Sequence, residues 1–432
     1  MINEVNRHWK NEKKEDIFNM ELVRISTAGS VDDGKSTLIG RLLYDNQALT
    51  KEQEELVDKK TKEKGWSDLD LSVITDGLVA EREQGITIDV AHIYFSTKTH
   101  KFIITDSPGH VEYTRNMVTG ASTAETSIIL VDARKGLLEQ SYRHFYISHL
   151  LRLNRVIFCV NKMDLVHYEE DQFLQIAIQI KKMVDQISPN LSYHIIPVSS
   201  LKGDNIVHQS EQMPWYTGET LNELLHQQTS TGEKVAPFRF DVQNVYHAQE
   251  KEFVDFRGFA GRVISGQISL GDRIVALPSK QESVVTEIRR FTETHHQALA
   301  GDSIVISLAD EIDVSRGVVL ANPERLPSEQ NQVKATLVWM DDRVGRKGAK
   351  YLFKAGSRAF AVKINEIFQK IDPTQANQAF ETDCININDI TRVELRLSQP
   401  LLLDAYADNK QNGVFVLIDS QSNNTVAVGF VD

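Results

Sequence analysis

At 432 residues the chain is longer than one hydrophobic core usually supports, so two or three domains are expected. With 41% hydrophobic and 25% charged residues and no apolar run long enough to span a bilayer, the composition argues for a soluble globular protein and against a membrane span. The 48 basic and 60 acidic residues leave a formal charge of −12, which disfavours sequence-blind attraction to nucleic acid or anionic lipid. Two distant cysteines, Cys159 and Cys384, show neither metal-ligand nor disulfide spacing, as suits a reducing, cytoplasmic compartment.

Residues 1–20 mix charges with scattered apolar positions, contain no secretory signal, and read as a solvated N-terminal arm. From residue 21 to about 206, β-branched runs alternate with amphipathic stretches, the pattern of βαβ units in a parallel sheet. Strands are expected over 23–27, 92–96, 102–105, 127–132, 156–160 and 194–198, with a charge-rich helical insertion over 49–84. This first domain is placed at 21–230. A polar passage at 227–234 precedes alternation in Phe238, Phe240 and Val242 and glycines at 258, 261, 266 and 271, which read as a β-barrel over 235–327. A second β run begins at Val333, with Val393, Leu395 and Leu397 alternating and strands over 414–418 and 426–430, so a second barrel is placed at 329–432. The fold class is therefore an α/β phosphate-loop domain, its sheet mostly parallel, followed by two all-β barrels.

Open α/β sheets bind ligands outside the carboxyl ends of their strands, and each expected strand ends where a motif begins. Residues 29–36, Gly-Ser-Val-Asp-Asp-Gly-Lys-Ser, fit the phosphate-loop pattern between a strand and a helix. The amides of Gly29, Ser30, Val31, Asp32, Asp33 and Gly34 would turn around phosphate oxygens, with the helix dipole behind Lys35, Ser36 and Thr37. Lys35 would reach the β and γ oxygens, and Ser36 would ligate Mg²⁺. Asp106, at a later strand end, would hold the Mg²⁺ shell through water, and the Gly109 amide would bond the γ-phosphate. Thr87 supplies a hydroxyl to complete the metal coordination when γ-phosphate is present, so that its loop acts as a switch.

Base identity rests on Asn161, Lys162 and Asp164. The Asp164 carboxylate can accept from the N1 and 2-amino hydrogens of guanine, whereas adenine offers no such pair. Ser199, Ser200 and Leu201, after the next strand, back the base from the other side. Hydrolysis needs a water oriented on the γ-phosphate, and His110 is the candidate catalytic residue, the plainer alternative being a helix cap. Val31 and Ile86 would form an apolar gate in front of it. His295 and His296 read as an exposed pair, and the basic series Arg343, Arg346, Lys347, Lys350, Lys354 and Arg358 as a solvated loop. No second phosphate loop follows, so one nucleotide site is expected.

These guanine-nucleotide motifs, followed by two β domains, resemble the elongation-factor superfamily of translational GTPases from about residue 21 onward. Within it, Gly-Ser-Val-Asp-Asp-Gly-Lys-Ser-Thr-Leu-Ile-Gly-Arg-Leu-Leu-Tyr from 29, Asp-Ser-Pro-Gly-His-Val-Glu-Tyr-Thr-Arg-Asn-Met from 106 and Trp-Tyr-Thr-Gly-Glu-Thr-Leu from 215 are similar to the large GTPase subunits of bacterial sulfate adenylyltransferases. Bacterial tRNA carriers usually have His and Thr where Asp33 and Ser36 stand here. The resemblance implies GTP and Mg²⁺ as cofactors and a heterodimer with a smaller ATP- and sulfate-binding adenylyltransferase subunit. In that heterodimer GTP hydrolysis would drive formation of adenosine 5′-phosphosulfate. The alternative is an elongation-factor-like carrier of aminoacyl-tRNA.

Overall fold

Apolar runs buried on both faces build the central sheet of the first domain. Its strands are β1 (Glu21–Ala28), β2 (Ala91–Ser96), β3 (His100–Asp106), β4 (Thr126–Asp132), β5 (Arg155–Asn161) and β6 (Ser192–Pro197), ordered β2-β3-β1-β4-β5-β6. Every residue of β4 is buried, which explains a continuous apolar run where a half-exposed strand would alternate. The pairings β1–β3, β1–β4, β4–β5 and β5–β6 are parallel. Strand β2 departs from the βαβ rhythm and runs antiparallel to β3. Its connection is a tight turn closed by Thr97 N donating to His100 O at 2.9 Å, too short for the crossover a parallel neighbour requires. The computed structural model describes residues 20–64, 69–74, 91–106, 117–118, 121–227, 236–248, 256–291, 293–375 and 378–432. The N-terminal arm, Ile86, Thr87, Gly109 and His110 lie outside the described residues.

Helices α1 (Lys35–Asp45), α2 (Lys51–Lys64), α3 (Glu139–Leu150), α4 (Glu170–Ile187) and α5 (Leu221–His226) accompany the sheet. Helix α4 buries Phe173, Ile176, Ile180, Met183, Val184 and Ile187, a stripe at three- and four-residue spacing. Helix α5 starts at a capping box: Glu223 N donates to Thr220 Oγ1 at 3.3 Å and Thr220 N to Glu223 Oε2 at 2.8 Å. Part of the expected helical insertion is realised as α2, whose Val57 is buried while most of its charges face water. Among the described residues no helix is long and apolar enough to cross a membrane.

The chain separates into two compact units, residues 1–231 with 373–377 and residues 232–372 with 378–432. The second unit holds both barrels. The first barrel is made of β7 (Arg239–Ala248), β8 (Phe256–Ser265), β9 (Gln267–Ser269), β10 (Arg273–Leu277), β11 (Gln281–Arg290), β12 (Glu293–Thr294), β13 (Gln297–Leu299), β14 (Ser303–Leu308) and β15 (Val319–Ala321). Six of them close in the order β10-β15-β7-β8-β14-β11, with β10 pairing back to β11. The second barrel is made of β16 (Ser328–Trp339), β17 (Gly345–Arg346), β18 (Lys350–Ala355), β19 (Arg358–Ile371), β20 (Ala379–Phe380), β21 (Cys384–Ile385), β22 (Ile390–Leu403), β23 (Val414–Ile418) and β24 (Thr425–Val431). Six close in the order β18-β23-β24-β16-β22-β19, with β18 pairing to β19. Closure removes the exposed edges of a flat sheet. Inside the second barrel Phe353 stacks on Phe415 at 4.3 Å and on Phe360 at 5.3 Å, each buried ring stabilising the core by roughly 2–3 kcal/mol.

A buried ion pair ties the barrels together. Arg239 of the first, 1% exposed, donates from Nε and Nη2 to Asp404 of the second at 3.1 and 2.9 Å. Asn409 and Asn412 each donate to Asp404 Oδ2, at 3.0 and 2.9 Å. Every charge there is matched, which is the condition for a buried pair to be tolerated. The basic series read as a loop is distributed instead: Lys350 and Lys354 lie on β18 and Arg358 starts β19. Arg343 pairs with Asp341 and Asp419, and Lys347 with Glu366, so local acids neutralise part of the series.

Candidate functional site

The parallel register brings the motif residues to one edge of the sheet. Thr27 of β1 lies opposite Asp106 of β3, and Asp132 of β4 opposite Asn161 of β5. The chain leaves β1 at Ala28, turns through 29–34 and enters α1 at Lys35. Gly34 caps that helix with φ +96°, a left-handed conformation that glycine adopts without strain. A Cβ there would stand 2.5 Å from Asn161 Nδ2, so the glycine also makes room for a neighbouring strand end. Asp32 is left-handed as well, at φ 68°, and exposed. Ser36 and Thr37 follow in the first turn of α1, half-buried, while Lys35 is buried.

Asp33 braces the loop from inside. Its Oδ2 accepts from Ser30 N at 2.7 Å, and Asp33 N donates back to Ser30 O at 3.2 Å. Burial pushes its carboxyl up from an ordinary 3.8 to about 6; Asp132 adds to this, while the Ser30 amide, Lys135 and Lys162 oppose it. The acidic side chain is therefore buried within the loop and bonded to the loop's own backbone. Beyond β4, His144 of α3 is fully buried. Burial, with repulsion from Lys35 and Arg143, holds it neutral by lowering its pKa from 6.5 to about 3.

Asn161 joins the phosphate loop to the loop after β6. Its Nδ2 donates to Asp33 O at 2.7 Å, and its Oδ1 accepts from Ser200 N and Ser200 Oγ, both at 2.9 Å. Lys162, left-handed at φ 66°, donates from Nζ to Asp32 O and lies 3.0 Å from Asp132 Oδ2. Burial works against the Asp132 charge, but Arg134 and Lys162 outweigh it and hold the carboxyl well below the usual range. Asp164 lies in the short turn Met163–Val166 after β5, and its Oδ1 accepts from Ser199 Oγ at 2.6 Å. That bond orients the carboxylate. Among the described residues the Leu201 amide finds no acceptor.

On the metal side, Thr27 Oγ1 donates to Asp106 Oδ1 at 2.8 Å, which fixes the carboxylate at the end of β3. The Ser36 hydroxyl and the Asp106 carboxylate are hard oxygen donors, a set that fits Mg²⁺. Thr87, Gly109 and His110, assigned to this side from the sequence, lie outside the described residues. The remaining sequence-assigned residues, from Gly29 to Thr37, Asp106, Asn161, Lys162, Asp164, Ser199, Ser200 and Leu201, gather at the strand ends. Motif reading passed over Thr27, Asp132 and Arg41. Thr27 and Asp132 each sit at the carboxyl end of an apolar strand, and that position was the available signal. Arg41 falls inside the stretch that carries the family resemblance, but its role shows itself only through its contacts.

Comparison with known proteins matches two families to the chain. Residues 20–252 match the family described as the elongation factor Tu GTP binding domain, and residues 332–432 a GTP-eEF1A C-terminal domain-like family. A relative from Colwellia psychrerythraea named sulfate adenylyltransferase subunit 1 is 43% identical over 96% of this chain and 88% of its own length. The protein of that name from Aliarcobacter butzleri is 42% identical over 96% of this chain and 88% of its own. One from Teredinibacter turnerae is 43% identical over 95% of this chain and 87% of its own.

Proposed function

The chain belongs to the family of sulfate adenylyltransferase subunit 1, and on that premise we propose that it works as the GTP-hydrolysing subunit of a sulfate-activating enzyme. The observation that carries this reading is the Asn161 bridge, one side chain that ties a phosphate loop to the loop flanking Asp164. Amides from Gly29 to Gly34 and the Lys35 ammonium hold the triphosphate, aided by the N-terminus of α1. Asp164 takes the N1 and 2-amino hydrogens of guanine, and the Leu201 amide, without an acceptor among the described residues, faces its carbonyl oxygen. Ser36, Asp106 and Thr87 would hold Mg²⁺, which when bound would neutralise charge on the triphosphate. His110 orients the attacking water.

The coupled step is adenylyl transfer on a smaller partner that binds ATP and sulfate, giving adenosine 5′-phosphosulfate. Coupling requires that the nucleotide state of this chain and the state of its partner bias each other. Delivery of aminoacyl-tRNA, the alternative raised by the sequence, is not favoured by relatives that carry the subunit 1 name. The test is adenylylsulfate synthesis by the purified pair from ATP and sulfate, with and without GTP. Lys35→Ala should remove the stimulation by GTP and leave the partner's own basal turnover. Stimulation that survives Lys35→Ala rejects the reading.

A further inference from the structure

Arg41 lies on α1, the helix whose first turn serves the phosphate loop, yet its guanidinium grips the loop after β6. Nη2 donates to Leu201 O at 2.5 Å and Nε to Ser200 O at 3.3 Å, while Nη1 stands 3.4 Å from Asp45 Oδ1 one turn further along the helix. The Arg41 and Asp45 side chains are 12% and 13% exposed, so the clamp is largely out of water, where charge-assisted hydrogen bonds are strong. The loop fits closely over it. A Cβ on Gly203, itself left-handed at φ +90°, would stand 3.3 Å from Asp45 Oδ2 and 3.4 Å from Arg41 Cδ.

A trans peptide points its C=O and the following N–H in opposite directions. With Ser200 O turned to Arg41, the Leu201 N–H points away from α1, and among the described residues it is left without an acceptor. Ser199, two residues earlier, orients Asp164. The loop thus presents a donor beside an oriented carboxylate, and guanine offers an acceptor beside two donors on one edge. We infer that Arg41, braced by Asp45, is a positioning residue that sets the base loop for guanine, linking base recognition to the helix behind the phosphates. This inference rests on the guanine-nucleotide reading of the site.

Calorimetry in magnesium on the full chain, wild type against Arg41→Ala, Arg41→Lys and Asp45→Asn, tests it with three probes: GDP, inosine diphosphate and tripolyphosphate. Arg41→Ala should weaken GDP and inosine diphosphate alike by about tenfold, since both bases carry the same carbonyl oxygen. Tripolyphosphate, which has no base, should bind within about twofold of wild type, and its binding shows that the variant is folded. Arg41→Lys should recover only part of the loss, because an ammonium lacks the fork that spans two carbonyls. Asp45→Asn should lose less than Arg41→Ala, in the same direction. Unchanged GDP affinity in Arg41→Ala overturns the inference, and so does an equal loss for GDP and tripolyphosphate, which would mean a general role in the helix. Absence of GDP binding by the wild type sinks the guanine reading itself and the inference with it.

Discussion

Truncating Asn161 to alanine removes three hydrogen bonds at once, one to Asp33 O at 2.7 Å and two from Ser200 at 2.9 Å. Asn161, Asp33 and Ser200 are 1%, 2% and 2% exposed, so water does not readily replace what is lost. Each buried polar group left unpaired costs about 1–3 kcal/mol, and three of them put the expected loss at roughly 3–9 kcal/mol. Because the bridge joins the phosphate loop to the base loop, part of that loss should appear as weaker nucleotide binding. Urea unfolding of the nucleotide-free protein and GDP calorimetry measure the two parts. We expect a destabilised α/β domain together with GDP affinity at least about tenfold lower. Asn161→Asp should fail similarly, because a carboxylate accepts from Ser200 but cannot donate to Asp33 O. An Asn161→Ala protein with stability within about 0.5 kcal/mol of wild type and unchanged GDP affinity would refute the bridge.

Gly34→Ala places a Cβ 2.5 Å from Asn161 Nδ2 at a left-handed φ of +96°, so GDP binding should be lost while circular dichroism stays native; wild-type affinity would contradict this. Asp404→Ala leaves Arg239 charged and buried, and should cost the barrel unit about 3–5 kcal/mol in urea melts, with much of it recovered in the double variant Arg239→Met, Asp404→Leu. An unaltered melt for the single variant would remove the pair from the account. Asp33 has its folded pKa raised from 3.8 to about 6, so the unfolded chain ionises first as pH rises. The nucleotide-free protein should therefore lose up to about 3 kcal/mol between pH 4 and 6 from this group alone, and Asp33→Asn should flatten that slope. Identical pH slopes for the two proteins would contradict the buried carboxyl.

The strands of the α/β domain were legible because they are buried on both faces and read as apolar runs: residues 156–160 were expected, and β5 spans Arg155–Asn161. The two barrels were legible from alternation, as in Val393, Leu395 and Leu397, all buried on β22. Strand β16 starts at Ser328, ahead of the expected Val333, because its polar first residues pair with Leu401, Leu402 and Leu403 across an irregularity in the register. Motif residues could be placed from the sequence because each follows a strand and so lands at one sheet edge. Arg41 could not, since its partners Ser200 and Leu201 are some 160 residues away in sequence and only the fold joins them. The bond between Thr27 and Asp106, 79 positions apart, likewise exists only through the fold, although the strand end that carries Asp106 is visible in the sequence. The solvated-loop reading of the basic series does not hold because Lys350 and Lys354 are the exposed positions of strand β18, whose Phe353 is buried, and Arg358 is a half-buried residue at the start of β19.

The most direct measurement compares GDP with xanthosine diphosphate on the wild type and on Asp164→Asn, by calorimetry in magnesium. Xanthine carries a carbonyl where guanine carries its 2-amino group, so an amide donor in place of the carboxylate should reverse the preference. The account predicts that wild type favours GDP by about a hundredfold or more and that the variant favours xanthosine diphosphate. A wild-type protein that binds the two equally, or a variant that keeps its preference for GDP, would contradict a guanine site built on Asp164.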